Sequence, residues 1–144
     1  MDQYVFNQNR KDAFFYVAKA LPAAGAAAEL TSAFDLGTLG VLPTGSTNPP
    51  PFAFQITLPA LPTQTGTDKY IDFRIMHCDT LAGSYVTTGL EKSVPGVAAT
   101  GTPLTKIQFR PPPDIKRFVK LEQAETAAGA DVTAISSIFE LVFD

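Results

Sequence analysis

Apolar and polar residues alternate along this chain in short bursts, and the bursts predict strands. Phe52, Phe54, Ile56 and Leu58 share one face of 52–58, a strict period of two. In 70–76, Ile71, Phe73 and Ile75 fall on one side and Asp72 and Arg74 on the other. Residues 104–110 turn Ile107 and Phe109 inward and Lys106, Gln108 and Arg110 outward. Residues 117–123 set Val119 and Leu121 against Phe118, Lys120 and Glu122. In 137–143, Phe139, Leu141 and Phe143 oppose Ile138, Glu140 and Val142, so both faces of this strand are expected to be covered. That is more apolar surface than one core demands, and it favours an oligomer. A short extended piece is predicted over 31–36.

Between the bursts lie breakers at 42–46, 48–51, 59–67, 93–103 and 110–114, rich in Pro, Gly, Thr and Ser. Proline cannot donate a ladder hydrogen bond, so each cluster is expected at a strand end. No stretch has the pattern of a crossover helix, which leaves an all-β, antiparallel fold. Several connections reach about ten residues, against two to five in common hairpins. Such loops suit a jelly roll or β-sandwich better than a meander.

The lead is less regular. Residues 1–12 are polar with Tyr4 and Phe6 at strand spacing, and read as an extended N-terminal arm or an edge strand. Phe14, Phe15, Tyr16 and Val17 have strand propensity amid Ala-rich flanks. Residues 23–28 stand between a short helix and a loop. The expected division is an arm and lead segment over 1–30 and one domain over 31–144.

Composition narrows the function. The 144 residues fit one domain. A net charge of −3 speaks against a nucleic-acid footprint. A single Cys excludes an internal disulfide, and a single His leaves no His-rich metal site within one chain. No apolar run has the roughly 18 residues of a membrane span. Residues 10–28 imitate a secretory leader, but Lys19 and Pro22 interrupt the apolar stretch.

Candidate chemistry is sparse. Ser84 has no neighbouring base and no G-x-S-x-G context. His77 and Cys78 are adjacent, so a strand would point them to opposite faces; Cys78 reads as a small buried residue and His77 as a polar strand end. Asp68, Asp72 and Asp79 make no legible catalytic pair. Lys106, Arg110, Lys116, Arg117 and Lys120 form a basic cluster, either a solvated sheet face or a docking surface for an acidic protein. Tyr4 and Phe6 are candidates for strand addition to a neighbour, with main-chain bonds supplying register.

Three phrases resemble a known family. Ser32-Ala33-Phe34-Asp35-Leu36-Gly37 is one. The strand Ile71-Asp72-Phe73-Arg74-Ile75 followed by Cys78-Asp79-Thr80-Leu81-Ala82-Gly83-Ser84-Tyr85 is the second, and Lys116-Arg117-Phe118-Val119-Lys120-Leu121 the third. Together, over roughly residues 31 to 143, they resemble the jelly-roll cement (decoration) proteins of tailed-bacteriophage capsids. The resemblance implies a homotrimer made in the host cytoplasm and placed on the virion exterior, where it clamps neighbouring major capsid subunits. It implies no enzyme activity, and from composition and motifs neither a cofactor nor a nucleic-acid or membrane partner is expected. Tyr4, Phe6, Arg110, Lys116 and Lys120 are then the candidate partner contacts. The alternative is a carbohydrate-binding β-sandwich module of a phage tail or neck, against which the absence of Trp weighs.

Overall fold

The computed structural model describes residues 10–39, 52–62, 70–96, 101–126 and 131–143. Among them the strands are β1 (Arg10–Ala20), β2 (Glu29–Leu30), β3 (Phe34–Asp35), β4 (Phe52–Leu58), β5 (Tyr70–Cys78), β6 (Val86–Pro95), β7 (Thr105–Phe109), β8 (Phe118–Glu125) and β9 (Ser136–Phe143). A 3-10 turn follows β3 at Leu36–Leu39. The first sheet runs β1-β9-β4-β7; the second runs β2-β8-β5-β6, with β3 also on β8. The fold is all-β, two antiparallel sheets packed as a sandwich.

The pairing is nested. β5 and β6 form the innermost pair, β4 and β7 the next, then β2 and β3 with β8, and β1 with β9 outermost. Thr31 joins β2 to β3 along β8: its N–H donates to the Leu121 carbonyl at 2.9 Å and its Oγ1 accepts from the Leu121 N–H at 3.0 Å. The two short strands therefore act as one interrupted edge.

The strands that alternate in sequence alternate in space. Phe52, Phe54, Ile56 and Leu58 of β4, Ile71, Phe73 and Ile75 of β5, and Phe139 and Leu141 of β9 fill the core. Phe34 stacks on Phe139 at 4.8 Å and takes Phe15 edge-on at 6.0 Å, so β3, β9 and β1 are pinned together by aromatic rings.

Two elements depart from the sequence pattern. β6 runs through Ser93 and Val94 to Pro95, where a breaker was expected. It is an edge strand with Val94 its buried residue, so burial imposes little alternation on it. β1 extends from Arg10, so Arg10 and Lys11, expected in the arm, pair with Phe143 and Val142. An irregularity between Lys11 and Tyr16 shifts the register and disrupts the period of two.

Both faces of β9 are covered, as expected, but by the chain itself. Glu140 and Val142 are buried on the side opposite Phe139 and Leu141. On that outer face Gln108 Nε2 donates to Gln55 Oε1 at 2.7 Å and Gln55 Nε2 donates to Glu140 Oε1 at 2.9 Å, linking three strands. β9 therefore supplies no argument of its own for an oligomer.

Candidate functional site

The chemistry-bearing side chains gather at one end of the second sheet, where β5 turns into β6 and β8 begins. The turn is closed locally: the Gly83 N–H donates to the Thr80 carbonyl at 3.3 Å, and the Tyr85 hydroxyl to the Leu81 carbonyl at 2.9 Å. This leaves Leu81 and Val86 exposed at 59% and 48%, an apolar tip on a polar rim.

Cations surround the tip, and most have partners. Arg117 grips Asp35 with two hydrogen bonds, Nε to Oδ1 at 2.8 Å and Nη2 to Oδ2 at 3.0 Å. The same Oδ1 accepts the Gly37 N–H at 2.9 Å. The Arg117 bond, with help from Gly37, holds the Asp35 carboxyl below its usual range. Arg117 also lies over the Phe118 ring at 5.0 Å, and Lys120 over the Tyr85 ring at 4.3 Å. Lys116 approaches Asp79 at 3.8 Å.

Beneath the rim, His77 is buried on the inner side of β5, and its Nδ1 accepts the Lys116 N–H at 3.2 Å. Nε2 then carries the proton of the neutral ring. Burial first, then the Lys116 charge, lower the His77 pKa; Asp114 and Asp79 oppose them. Cys78 is buried on the opposite side, its sulfur 3.8 Å from Thr80 Oγ1. His77 is thus a bonded interior group and makes no pair with the thiol.

Of the basic residues singled out in sequence, the fold brings Lys116, Arg117 and Lys120 to this tip. Arg110 follows β7 in the other sheet, and Lys106 lies on β7 itself. Tyr4 and Phe6 lie outside the described residues. Asp35 and Tyr85 were not chosen as site residues, yet they orient two of the three cations. The signal was present, because both stand inside the phrases that carry the resemblance.

A second feature lies on the outer face of the same sheet. It is an open groove of about 470 Å³ bordered by Asp72, Arg74, Glu91, Ser93 and Glu122. Arg74 stands 3.2 Å from Glu91 and 3.6 Å from Glu122, and the Ser93 hydroxyl donates to Asp72. The aromatic residue along it, Phe73, is buried in the core. Among the described residues, the groove therefore offers no ring on which a sugar could stack.

Neither a scan against protein-family models nor a search of curated proteins finds a match.

Proposed function

We propose that this chain is a structural virion protein, a jelly-roll cement protein that binds the outside of a tailed-phage capsid and ties major capsid subunits together. One observation carries the reading. The three phrases that resemble that family are distant in sequence, yet they meet as one interlocked unit. Asp35 of the first grips Arg117 of the third, Tyr85 of the second underlies Lys120 of the third, and His77, between the two parts of the second, accepts the Lys116 N–H.

The nested strand order supports the jelly-roll form of the sandwich, because folding a long hairpin over itself places the first and last strands side by side. On this reading the exposed Leu81 and Val86 meet the shell while Lys116 and Lys120 face acidic groups around them. Arg110, Tyr4 and Phe6 add contacts beyond the tip. The protein acts as a homotrimer on the capsid exterior and performs no catalytic step.

The test uses shells of the phage that encodes the chain, stripped of it, mixed with purified protein and sedimented. The expected result is co-sedimentation at a fixed ratio to the major capsid protein. Leu81→Asp combined with Lys120→Glu should abolish it while leaving the melting temperature within a few degrees. Wild-type protein that stays in the supernatant, or is missing from purified virions, overturns the proposal.

A further inference from the structure

β8 turns every second side chain inward, and Val119, Leu121, Gln123 and Glu125 are all buried. The two polar ones are treated differently. Gln123 is matched at both ends of its amide: Nε2 donates to the Ala20 carbonyl at 2.7 Å, and Oε1 accepts the Ser137 hydroxyl at 2.6 Å. Glu125 is 4% exposed, and both of its carboxylate oxygens are closed off from solvent with no hydrogen-bond partner. Buried polar side chains are nearly always bonded, so an orphan of this kind calls for a reason.

Backbone bonds hold Glu125 in place. Its carbonyl accepts the Gly25 N–H at 3.0 Å, and across the sheet it pairs with Ile71. The next residue, Thr126, donates its N–H to the Tyr70 carbonyl at 3.0 Å, and its Oγ1 accepts the Tyr70 N–H at 3.0 Å. The neighbouring turn at 131–135 is tied to the same corner, with the Leu21 N–H donating to the Ile135 carbonyl at 2.9 Å.

Among the described residues, the charges on the surrounding elements offer no counter-ion. Segment 21–28 has no ionisable side chain. The 131–135 turn contributes Asp131, of the same sign. On β5, Tyr70 is a phenol, and Asp72 and Arg74 are exposed on the other face, with Arg74 held by Glu91 and Glu122. Lys19 of β1 is paired with Glu29 of β2 at 3.5 Å.

We propose that Glu125 is a proton-operated clasp: the neutral acid fits the closed corner where β8 meets segments 21–28 and 131–135, and loss of its proton loosens that corner. Burial, with Asp131 second, raises the Glu125 pKa above the ordinary glutamate range. An acid raised by folding holds its proton more tightly in the folded chain than in the unfolded one. Its stabilisation is complete below the ordinary glutamate range and is lost as pH rises through the raised value. His77 acts with the opposite sign. Its lowered pKa gives stability that is present above the ordinary histidine value and lost as pH falls through the lowered one. Wild type minus variant, rather than either curve alone, isolates Glu125.

The experiment is thermal unfolding of the full chain from pH 5 to pH 8 for wild type, Glu125→Gln and Asp131→Asn, with amide exchange of Gly25 followed alongside. Glu125→Gln should melt above wild type at pH 8, and the gap should close toward pH 5. Asp131→Asn should narrow the gap from the wild-type side. At pH 8, Gly25 should exchange several-fold faster in wild type than in Glu125→Gln, with mid-strand Leu121 unchanged. A variant that melts at or below wild type at pH 8, or a gap that does not change with pH, overturns the proposal. Should Glu125→Gln fail to fold, Gly25 exchange in wild type decides: protection that, after correction for the intrinsic rate, does not fall as pH rises overturns it equally.

Discussion

A Cβ added at Gly83 would run into Thr80 Oγ1 and lie 2.5 Å from Cys78 Sγ. These atoms belong to the turn and to the end of β5 that together set Tyr85 beneath Lys120, so the smallest side chain at 83 disturbs the tip from within. Overpacking a well-fitted position costs about 1–3 kcal/mol. Gly83→Ala is therefore expected to lower stability by that order in denaturant unfolding; an unchanged midpoint would show that the turn yields freely. At this scale the sequence is read unevenly. Cys78 was legible as a small buried residue, because its residue type predicts that. Glu125 was not, because its residue type says surface. Only parity with Val119 and Leu121 places it inside, and the strand expected from sequence ends at Gln123, two residues short of it. The Asp35–Arg117 grip was illegible for a different reason: 82 residues separate the partners, and nothing local links them.

Strands β4, β5, β8 and β9 were legible because each has one face in the core, and burial enforces alternation. β6 was not, since an edge strand with most of its residues exposed has no face to declare; Gly89, at φ +86°, adds a conformation that other residues rarely adopt. β1 hid behind its register shift between Lys11 and Tyr16. Neighbouring strands β9 and β1 also carry side chains of different energetic weight. Phe139 is 1% exposed and touches the rings of Phe34 and Phe54, whereas Tyr16 is half exposed. Phe139→Ala is expected to cost about 3–5 kcal/mol and Tyr16→Ala within about 0.5 kcal/mol, both read from urea or guanidinium midpoints. Equal effects would mean that the aromatic cluster does not anchor the first sheet to β3.

For the molecule as a whole, the boundary between arm and sandwich decides how the arm is tested. The sequence pattern puts the arm at residues 1–12 and the start of the domain at residue 31, but β1 and β2, both before residue 31, are strands of the two sheets. Arg10 and Lys11 pair with Phe143 and Val142, so a cut after residue 12 would remove part of β1 and confuse folding with attachment. Removing residues 1–9 leaves every described strand intact. The strand-addition reading gives Tyr4 and Phe6 pockets on a neighbouring copy or on the shell. Each buried aromatic side chain is worth about 1.5–3 kcal/mol, so losing two should weaken attachment by well over tenfold. Deletion of 1–9, and Tyr4→Ala with Phe6→Ala in the full chain, should each melt within a few degrees of wild type and release the protein from shells at lower concentration. Measuring both variants separates two contributions. A deletion that detaches while the double alanine variant holds would assign the contact to main-chain pairing. Two variants that trimerise and decorate shells as well as wild type would leave the tip around Leu81, Val86 and Lys120 as the whole of the docking surface.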